Sequence, residues 1–229
     1  YWAFQFQEAL ENKDRESLYK RATKEIVSFQ SSLLNSEANL PSFNPQWQTR
    51  ELDIFREWCL PDLKDTEYRE ITSVLVDAID KIPKAFMHRD FHCRNILLCQ
   101  DDELGVIDFQ GAMHGPVTYD LVSLLRDCYV DNDKQWIVQS VRSFQQNLQS
   151  VGLPYAQVEP DEFLRWFDFA GLQRHLKCVG IFHRLKIRDG KPEYINDVPR
   201  ILGYIHQVLE RHSELETIKQ LVEQATLLK

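Results

Sequence analysis

The stretch His88-Arg-Asp-Phe-His-Cys-Arg-Asn95, followed by Val106-Ile-Asp-Phe-Gln110, decides how this chain is interpreted. The two stretches place two carboxylates, Asp90 and Asp108, and one side-chain amide, Asn95, in short polar segments between apolar ones. Carboxylate and amide oxygens suit Mg²⁺, and a carboxylate within hydrogen-bond reach can receive the proton of a hydroxyl group. The sequence therefore predicts a site that combines a bound cation with a proton acceptor.

Apolar segments surround both stretches and predict their secondary structure. Ala85-Phe86-Met87 comes before the first stretch, and Ile96-Leu97-Leu98-Cys99 comes after it. Asp101-Asp102 predicts a turn, which Leu104-Gly105-Val106-Ile107 follows. The predicted order is strand, loop and β-hairpin, with one carboxylate on the loop and the other at the end of the hairpin. The alternative is a solvated turn between buried strands, whose acidic residues only cap and solubilise.

This order of groups is typical of phosphoryl transfer, in which the protein mainly positions the reactants and neutralises charge. There, the Asp of an H-x-D-x-x-x-x-N loop is the base, and its Asn and a later D-F-x Asp bind the metal. The spacing assigns Asp90 as the catalytic base, and Asn95 and Asp108 as ligands of Mg²⁺ and thereby of ATP. A zinc site at His88 and His92 is disfavoured because the H-x-x-x-H spacing lacks the Glu of H-E-x-x-H.

Two longer blocks carry a resemblance to a known family. The first runs from Ile107 to Tyr129, and the second covers residues 163–182 and 188–192. They resemble the aminoglycoside phosphotransferase-like branch of the kinase superfamily, in which Gln commonly replaces the Gly of D-F-G. Within it they are most similar to the bacterial cell-wall amino-sugar kinases, which phosphorylate the anomeric hydroxyl of N-acetylmuramate and N-acetylglucosamine. The resemblance covers most of the chain from Leu18 onward.

The resemblance implies a fold, a reaction and a cofactor set. The fold is mainly α with a small β-hairpin element, as in the protein-kinase-like C-terminal lobe of an α+β bilobal fold. The reaction is ATP- and Mg²⁺-dependent phosphorylation of a small-molecule hydroxyl, and the expected acceptor is C1 of N-acetylmuramate or N-acetylglucosamine in cell-wall recycling. Two alternatives stay open: an aminoglycoside, choline or homoserine-type kinase, and a non-catalytic kinase-like binding module.

Supporting residues around the loop are also implied. His88 is expected to pack and hydrogen-bond so that it holds the loop. Arg94 is expected to brace Asp90 or to reach a phosphate, although an exposed Arg is as simple an interpretation. Asp120 resembles the kinase Asp that caps the amides of the catalytic loop, while Asp is also a good residue for the start of any helix.

Further polar residues of the two blocks are expected to line a sugar pocket. They are Gln110, His114, Arg165, Asp168, Gln173, Arg174 and His175. Because the last five lie on one predicted helix, some of them must face the core or the solvent.

The parts of a kinase that precede the catalytic loop are not found in this sequence. A complete kinase needs an N-terminal lobe with a phosphate-covering loop, a Lys and its partner Glu. No Gly-rich phosphate loop and no V-A-I-K-like strand precedes the catalytic loop, and none of the eight glycines comes before Gly105. We therefore expect residues 1–229 to be the C-terminal lobe alone, with the catalytic loop and metal site at 85–110 and a helical substrate subdomain at 119–229. The ATP-grasping lobe would be an absent partner, and the chain alone is expected to have negligible activity.

Apolar residues at helical spacing predict the helices. They mark three segments before the loop, from Leu18 to Leu33, from Leu52 to Cys59 and from Tyr68 to Ile79. Further helices are predicted near 119–129, 134–150, 161–188, 198–212 and 214–228. Asp189-Gly190 predicts the end of the helix over 161–188.

Composition limits the class of partner and the compartment. The 229 residues are 43% hydrophobic, which is enough for one sizeable core, and the net charge is −8. This charge argues against nucleic acid or an anionic membrane as the main partner, and the resemblance implies a small-molecule substrate. Five Cys without a C-x-x-C pair favour reduced thiols and a cytoplasmic location, and no apolar run is long enough to cross a bilayer.

Overall fold

The computed structural model describes residues 4–34, 39–99 and 103–227. The helices are α1 (Phe6–Asn12), α2 (Arg15–Ser32), α3 (Pro45–Cys59), α4 (Asp65–Asp80), α5 (Tyr119–Leu125), α6 (Lys134–Ser150), α7 (Pro160–Ile187), α8 (Val198–Arg211) and α9 (Glu216–Leu227). The strands are β1 (Phe4–Gln5), β2 (Lys84–Met87), β3 (Ile96–Leu98), β4 (Leu104–Val106) and β5 (Met113–Pro116). Short 3₁₀ turns occur at Phe109–Gly111, Pro154–Ala156, Pro192–Asp197 and Ser213–Leu215.

The chain divides into two compact units, and each is made of two separate stretches of sequence. One unit comprises Tyr1–Phe43 and Pro83–Phe167, and we call it the loop unit because it contains the whole predicted catalytic loop. The other comprises Asn44–Ile82 and Asp168–Lys229, and we call it the helical unit. The boundary between them falls within α7.

The loop unit contains two small antiparallel sheets. One sheet has the strand order β1-β3-β4, with Ile96 opposite Val106 across β3 and β4. The other pairs β2 with β5, with Met87 opposite Met113. The Met87 side chain occupies the space beside Gly115, where a Cβ would lie 2.5 Å from Sδ of Met87. The predicted catalytic loop, residues 88–95, connects β2 of one sheet to β3 of the other.

Two helices of the loop unit, α2 and α6, begin at Asp residues that cap them. The Asp14 carboxylate accepts hydrogen bonds from the backbone of Glu16 and Ser17 at the start of α2. Asp133 does the same for the first turn of α6. Such caps satisfy backbone N–H groups that have no partner within the helix. From its cap onward, α2 buries apolar side chains at helical spacing against the core.

The helical unit is stabilised by close helix packing and by polar bonds. The Tyr68 hydroxyl on α4 donates a hydrogen bond of 2.9 Å to the backbone oxygen of Leu52 on α3. Gly180 lets α7 approach α3, because a Cβ there would lie 2.6 Å from the Ile54 carbonyl oxygen. A buried ion pair of 2.9 Å joins Lys177 to Glu51.

The predicted helices agree closely with the structure, with one clear difference at α5. The helix predicted over 119–129 ends at Leu125, because the backbone leaves the helical conformation at Arg126. The Asn132 side-chain amide donates a hydrogen bond to the Leu125 carbonyl, and the backbone N–H of Tyr129 donates one to the Asp127 carboxylate. Side-chain bonds to the backbone therefore replace the last helical turn.

The fold class is confirmed as mainly helical with small sheets. The hairpin of β3 and β4 is present, while its predicted turn at Asp101-Asp102 lies outside the described residues, as does Leu228 at the end of the last predicted helix. The sequence did not predict β1, α1 or the pairing of β2 with β5. Within the described ranges no helix is long and apolar enough to span a membrane.

The predicted division of the chain differs from the compact units. Residues 119–229 were expected to form one helical subdomain, whereas 119–167 belong to the loop unit and 168–229 to the helical unit. The assignment of substrate binding to 119–229 stays a prediction.

Candidate active site

The catalytic loop is closed by hydrogen bonds between its own residues. The Asp90 carbonyl oxygen accepts the backbone N–H of His92 at 3.0 Å and the side-chain amide of Asn95, also at 3.0 Å. The backbone N–H of Asn95 donates to the His92 carbonyl at 2.9 Å. Asn95 uses its Nδ2 group to hold the loop, so its Oδ1 atom is the oxygen available to a cation.

A buried carboxylate anchors the Asp90 end of this loop. Asp120, in the first turn of α5, accepts hydrogen bonds from the backbone N–H groups of His88 at 2.6 Å and Arg89 at 2.9 Å. Arg89 has a φ of 79°, in the left-handed region that non-glycine residues rarely occupy. This backbone conformation of Arg89 is energetically unfavourable, and the two hydrogen bonds to Asp120 stabilise it directly before Asp90. The contact that the resemblance implies for Asp120 is present, and its catalytic importance stays a prediction.

Asp108 lies at the end of β4, in a second left-handed turn. Its φ is 67°, its side chain is exposed, and Gln110 Nε2 donates a hydrogen bond to its Oδ1 atom. The backbone N–H of Ile107, the residue before it, donates to the Asn95 carbonyl at 3.0 Å. This bond joins the Asn95 end of the loop to the segment after β4 that contains Asp108. Gln110 was expected to contact the sugar, and here it contacts the predicted metal ligand.

His88 is buried next to the catalytic loop. Its ring packs edge-to-face on Phe91, with 5.9 Å between the ring centres. Burial lowers the pKa of His88, and the negative charge of Asp90 and the nearby Ile107 backbone only partly oppose this effect. The role of His88 in holding the loop by packing and hydrogen bonding stays a prediction.

Arg94 stacks on an aromatic ring in the segment after α5. Its guanidinium carbon lies 3.5 Å from the centre of the Tyr129 ring, and the His92 ring meets the same Tyr129 edge-to-face at 5.6 Å. This stack is a cation–π contact and fixes the direction of the Arg94 side chain. Bracing of Asp90 or binding of a phosphate by Arg94 stays a prediction.

A second buried carboxylate in this region was not predicted. Asp127 accepts hydrogen bonds from the backbone N–H groups of Cys93 and Tyr129, both at 2.8 Å. It lies within the block that resembles the amino-sugar kinases, seven residues after Asp120. Its position in that block was the only sequence signal for a role of Asp127. Its hydrogen bond to Cys93 joins residues 34 positions apart, and such a bond produces no periodic pattern in the sequence.

Two of the candidate sugar-binding residues belong to the loop unit, besides Gln110. His114 is exposed on β5, and its backbone exchanges hydrogen bonds with Pro41 and Phe43, each at 2.9 Å. Arg165 is half-buried on α7. Sugar binding by either residue stays a prediction.

The other four candidates lie on the part of α7 in the helical unit and are buried. Asp168 accepts hydrogen bonds from Arg211 at 2.6 Å and is 2.9 Å from His212 Nε2. Gln173 donates to the buried Glu51 at 3.1 Å. His175 stacks on Tyr204 with 5.3 Å between ring centres, and Arg174 is 3% exposed. Asp168 and Gln173 thus have structural partners within the protein, and a sugar-binding role for these four residues stays a prediction.

The predicted metal ligands fit Mg²⁺ by their chemistry. Among the residues that the structure describes, there is no cluster of three or more His, Cys, Asp or Glu side chains suited to a metal. Mg²⁺ does not require one, since it is usually bound by one or two carboxylates together with water and substrate phosphates. As the predicted ligands, Asn95 and Asp108 would supply two oxygen atoms from backbone segments that hydrogen-bond to each other.

Comparison with known proteins supports the same chemistry. Residues 2–153 match the family described as APH, phosphotransferase enzyme family. The chain is 36% identical over 214 residues to the N-acetylmuramate/N-acetylglucosamine kinase of Neisseria meningitidis serogroup B, covering 90% of this chain and 63% of that protein. It is 34% identical over 215 residues to the kinase of the same name from Pseudomonas putida, covering 90% of this chain and 62% of that protein. The chain thus spans less than two thirds of each relative's length.

A solved structure shares the fold. Plasmodium vivax ethanolamine kinase aligns with 88% of this chain and 62% of its own, with a TM-score of 0.60 and 13% sequence identity. At that identity the likeness concerns the fold alone. The family match covers more than half of the chain and includes both predicted carboxylates and the Asn between them, so the chain belongs to the phosphotransferase enzyme family.

Proposed function

We propose that the protein containing this chain transfers a phosphoryl group from ATP to a hydroxyl group of a small molecule, with Mg²⁺ as the metal. The observation that carries the proposal is the doubly anchored loop. Asp120 fixes the backbone before Asp90, and the Asn95 amide fixes the Asp90 carbonyl. A loop held in this way presents a carboxylate and an amide oxygen in a fixed relation, as phosphoryl transfer requires.

Each residue has a distinct role in the proposed reaction. Asp90 orients the acceptor hydroxyl and takes its proton as the oxygen attacks the γ-phosphorus. Asn95 and Asp108 would hold the metal, which would supply neutralisation of charge on the phosphate oxygens. His88 is disfavoured as an alternative base, because its side chain is buried and its ring packs on Phe91. The γ-phosphoryl group leaves ADP and forms a phosphate ester with the acceptor oxygen.

We infer that the acceptor is the C1 hydroxyl of N-acetylmuramate or N-acetylglucosamine. Two proteins that are 36% and 34% identical to this chain carry the name N-acetylmuramate/N-acetylglucosamine kinase. The aligned part covers 90% of this chain, including the loop and the residues of α7. Because a third of each relative is not matched, this acceptor remains an inference for the whole protein.

The experiment is an acceptor screen of the full-length protein. ATP and Mg²⁺ are supplied with N-acetylmuramate, N-acetylglucosamine, glucose or kanamycin, and ³¹P NMR identifies the position of the new phosphate. We expect phosphate at C1 of both N-acetyl sugars, much poorer turnover of glucose and none of kanamycin. Phosphate at C6, or better turnover of kanamycin, would contradict the inferred acceptor and leave the phosphotransfer mechanism intact.

A further inference from the structure

We propose that Asp127 is a positioning residue for the catalytic loop, holding its Asn95 half as Asp120 holds its Asp90 half. The inference rests on the proposed function, because the loop matters only if it positions reactants and metal. It adds a residue that the spacing of the catalytic motif does not include.

The Asp127 carboxylate is buried and binds two backbone N–H groups. One carboxylate oxygen accepts the backbone N–H of Cys93 and the other accepts the backbone N–H of Tyr129, both at 2.8 Å. Asp127 and Cys93 are each 1% exposed. A buried backbone N–H has no water to replace a lost partner, so the Cys93 N–H depends on this carboxylate. Burial, together with the adjacent Asp127 charge, raises the pKa of the Cys93 thiol, which therefore stays neutral.

The two anchors lie in the first turn of one short helix and just beyond its end. Asp120 lies in the first turn of α5, and Asp127 lies two residues after its end at Leu125. Every residue of α5 is buried. The two carboxylates are thus placed at opposite ends of one packed element, and each accepts backbone N–H groups from a different half of the loop.

The chain after α5 is itself held in place, so that Asp127 cannot move freely. Asn132 donates hydrogen bonds to the Leu125 carbonyl at 3.0 Å and to the Tyr19 hydroxyl at 2.9 Å. Arg15, at the start of α2, donates to Asn132 Oδ1 at 2.8 Å. These bonds replace a helical turn and fix the path of the segment that carries Asp127.

The Tyr129 ring extends this anchor to both neighbours of Cys93. The backbone N–H of Tyr129 donates a hydrogen bond to Asp127. The ring of Tyr129 contacts His92 and Arg94, the two sequence neighbours of Cys93. Backbone and side chains thus hold three successive loop residues against one segment. The next residue along the chain is Asn95.

A shift of the Cys93 backbone would also shift Asn95, the proposed metal ligand. Asn95 lies two residues further on, and its N–H bonds to the His92 carbonyl at 2.9 Å. We expect loss of the Asp127 carboxylate to weaken Mg²⁺ binding about 10- to 100-fold, the usual effect of removing a partner that orients a metal ligand. Sugar affinity should change little, because the Asp90 half keeps its Asp120 anchor.

The test compares Asp127→Ala with Asp127→Asn and with Asp133→Ala. Asp133 is a matched control: it also accepts two backbone N–H groups, from Gln135 at 3.0 Å and Trp136 at 2.9 Å, but at the start of α6. Asp127→Asn keeps one acceptor oxygen and should be intermediate. It also serves if the Ala variant does not fold. Hydrogen exchange of the segment 88–95 is one readout, and the other is the Mg²⁺ concentration that half-saturates binding of a non-hydrolysable ATP analogue to the full-length protein.

The expected result is faster exchange in 88–95 and a higher Mg²⁺ midpoint for Asp127→Ala, with neither change in Asp133→Ala. Unchanged exchange in 88–95, or an unchanged Mg²⁺ midpoint, overturns the proposal. An active parent is not needed: if the protein binds the analogue with Mg²⁺ but phosphorylates no sugar, the acceptor inference fails and Asp127 is still judged by both readouts. If the parent shows no Mg²⁺-dependent binding of the analogue, the proposed function and the positioning role fail together.

Discussion

Asn95 and Asp90, five residues apart, are joined by a hydrogen bond of 3.0 Å from the Asn95 side-chain amide to the Asp90 backbone carbonyl. The bond uses the backbone oxygen of Asp90 and no atom of its carboxylate. It also turns the amide so that its NH₂ group faces the loop, which leaves the oxygen for a cation. The spacing of the motif therefore has a direct structural reason.

Replacement of the proposed base should remove activity without disturbing the loop. Asp90→Asn keeps the backbone carbonyl that binds Asn95 and changes only the carboxylate. We expect kcat of the full-length protein to fall at least ~10²-fold, the usual scale for a positioned base, with little change in sugar affinity. The measurement is steady-state kinetics with N-acetylglucosamine, together with a thermal melt to verify folding.

Asp108→Ala is the contrasting variant, because it removes a proposed metal ligand. It should abolish binding of Mg²⁺-ATP, whereas Asp90→Asn should retain it. If Asp90→Asn kept most of its activity, Asp90 would not be the base.

Removal of Asp120 should destabilise the fold as well as the site. Asp120→Ala leaves the backbone N–H groups of His88 and Arg89 without their partner, and each buried orphan costs about 1–3 kcal/mol. We expect the free energy of unfolding to fall by at least about 2 kcal/mol in urea titrations. Asp14→Ala is the control: it removes an exposed helix cap at α2 and should cost only about 1 kcal/mol. Equal losses in the two variants would contradict the anchoring role of Asp120.

The buried His88 predicts a dependence of stability on pH. Burial lowers its pKa in the folded protein below the ordinary value of 6.5. The unfolded chain then binds the proton more readily, so the stability contributed by neutral His88 is complete above about pH 6.5 and is lost as the pH falls toward the folded pKa. Between about pH 7.5 and 5, the parent should lose more unfolding free energy than His88→Gln.

Denaturant titrations at the two pH values measure this difference directly. Because each protein is compared with itself, a general destabilisation by His88→Gln does not affect the result. Identical losses in parent and variant would show that protonation of His88 does not limit stability in acid.

Local patterns in the sequence predicted most of the fold. Helical spacing identified the long helices. The motif assigned roles to Asp90, Asn95 and Asp108, and these roles stay predictions. The pairing of β2 with β5 was missed because it joins segments about 30 residues apart, such as Lys84 and Pro116, and has no turn signal between them.

Asp127 and the buried partners of the α7 residues were missed for a related reason. The type of a polar residue does not show whether its side chain binds a sugar, a backbone N–H or a buried charge. Asp168 illustrates this: the block suggested a pocket, while in the structure its carboxylate is fully buried and bound to Arg211. Such bonds depend on the tertiary fold, which single-sequence periodicity does not specify.

The last prediction concerns the chemistry of the acceptor. If Asp90 takes the proton of the anomeric hydroxyl, the acceptor must offer a free reducing end within hydrogen-bond reach of its carboxylate. Methyl N-acetylglucosaminide, in which that oxygen carries a methyl group, should show no turnover by the full-length protein even where it binds. It should instead act as a competitive inhibitor of N-acetylglucosamine phosphorylation, because its N-acetyl group still satisfies the polar groups of a pocket built for it. The measurement is ³¹P NMR of long incubations together with inhibition kinetics. A phosphorylated methyl glycoside would mean that another hydroxyl faces Asp90, and the acceptor position would then have to be reassigned.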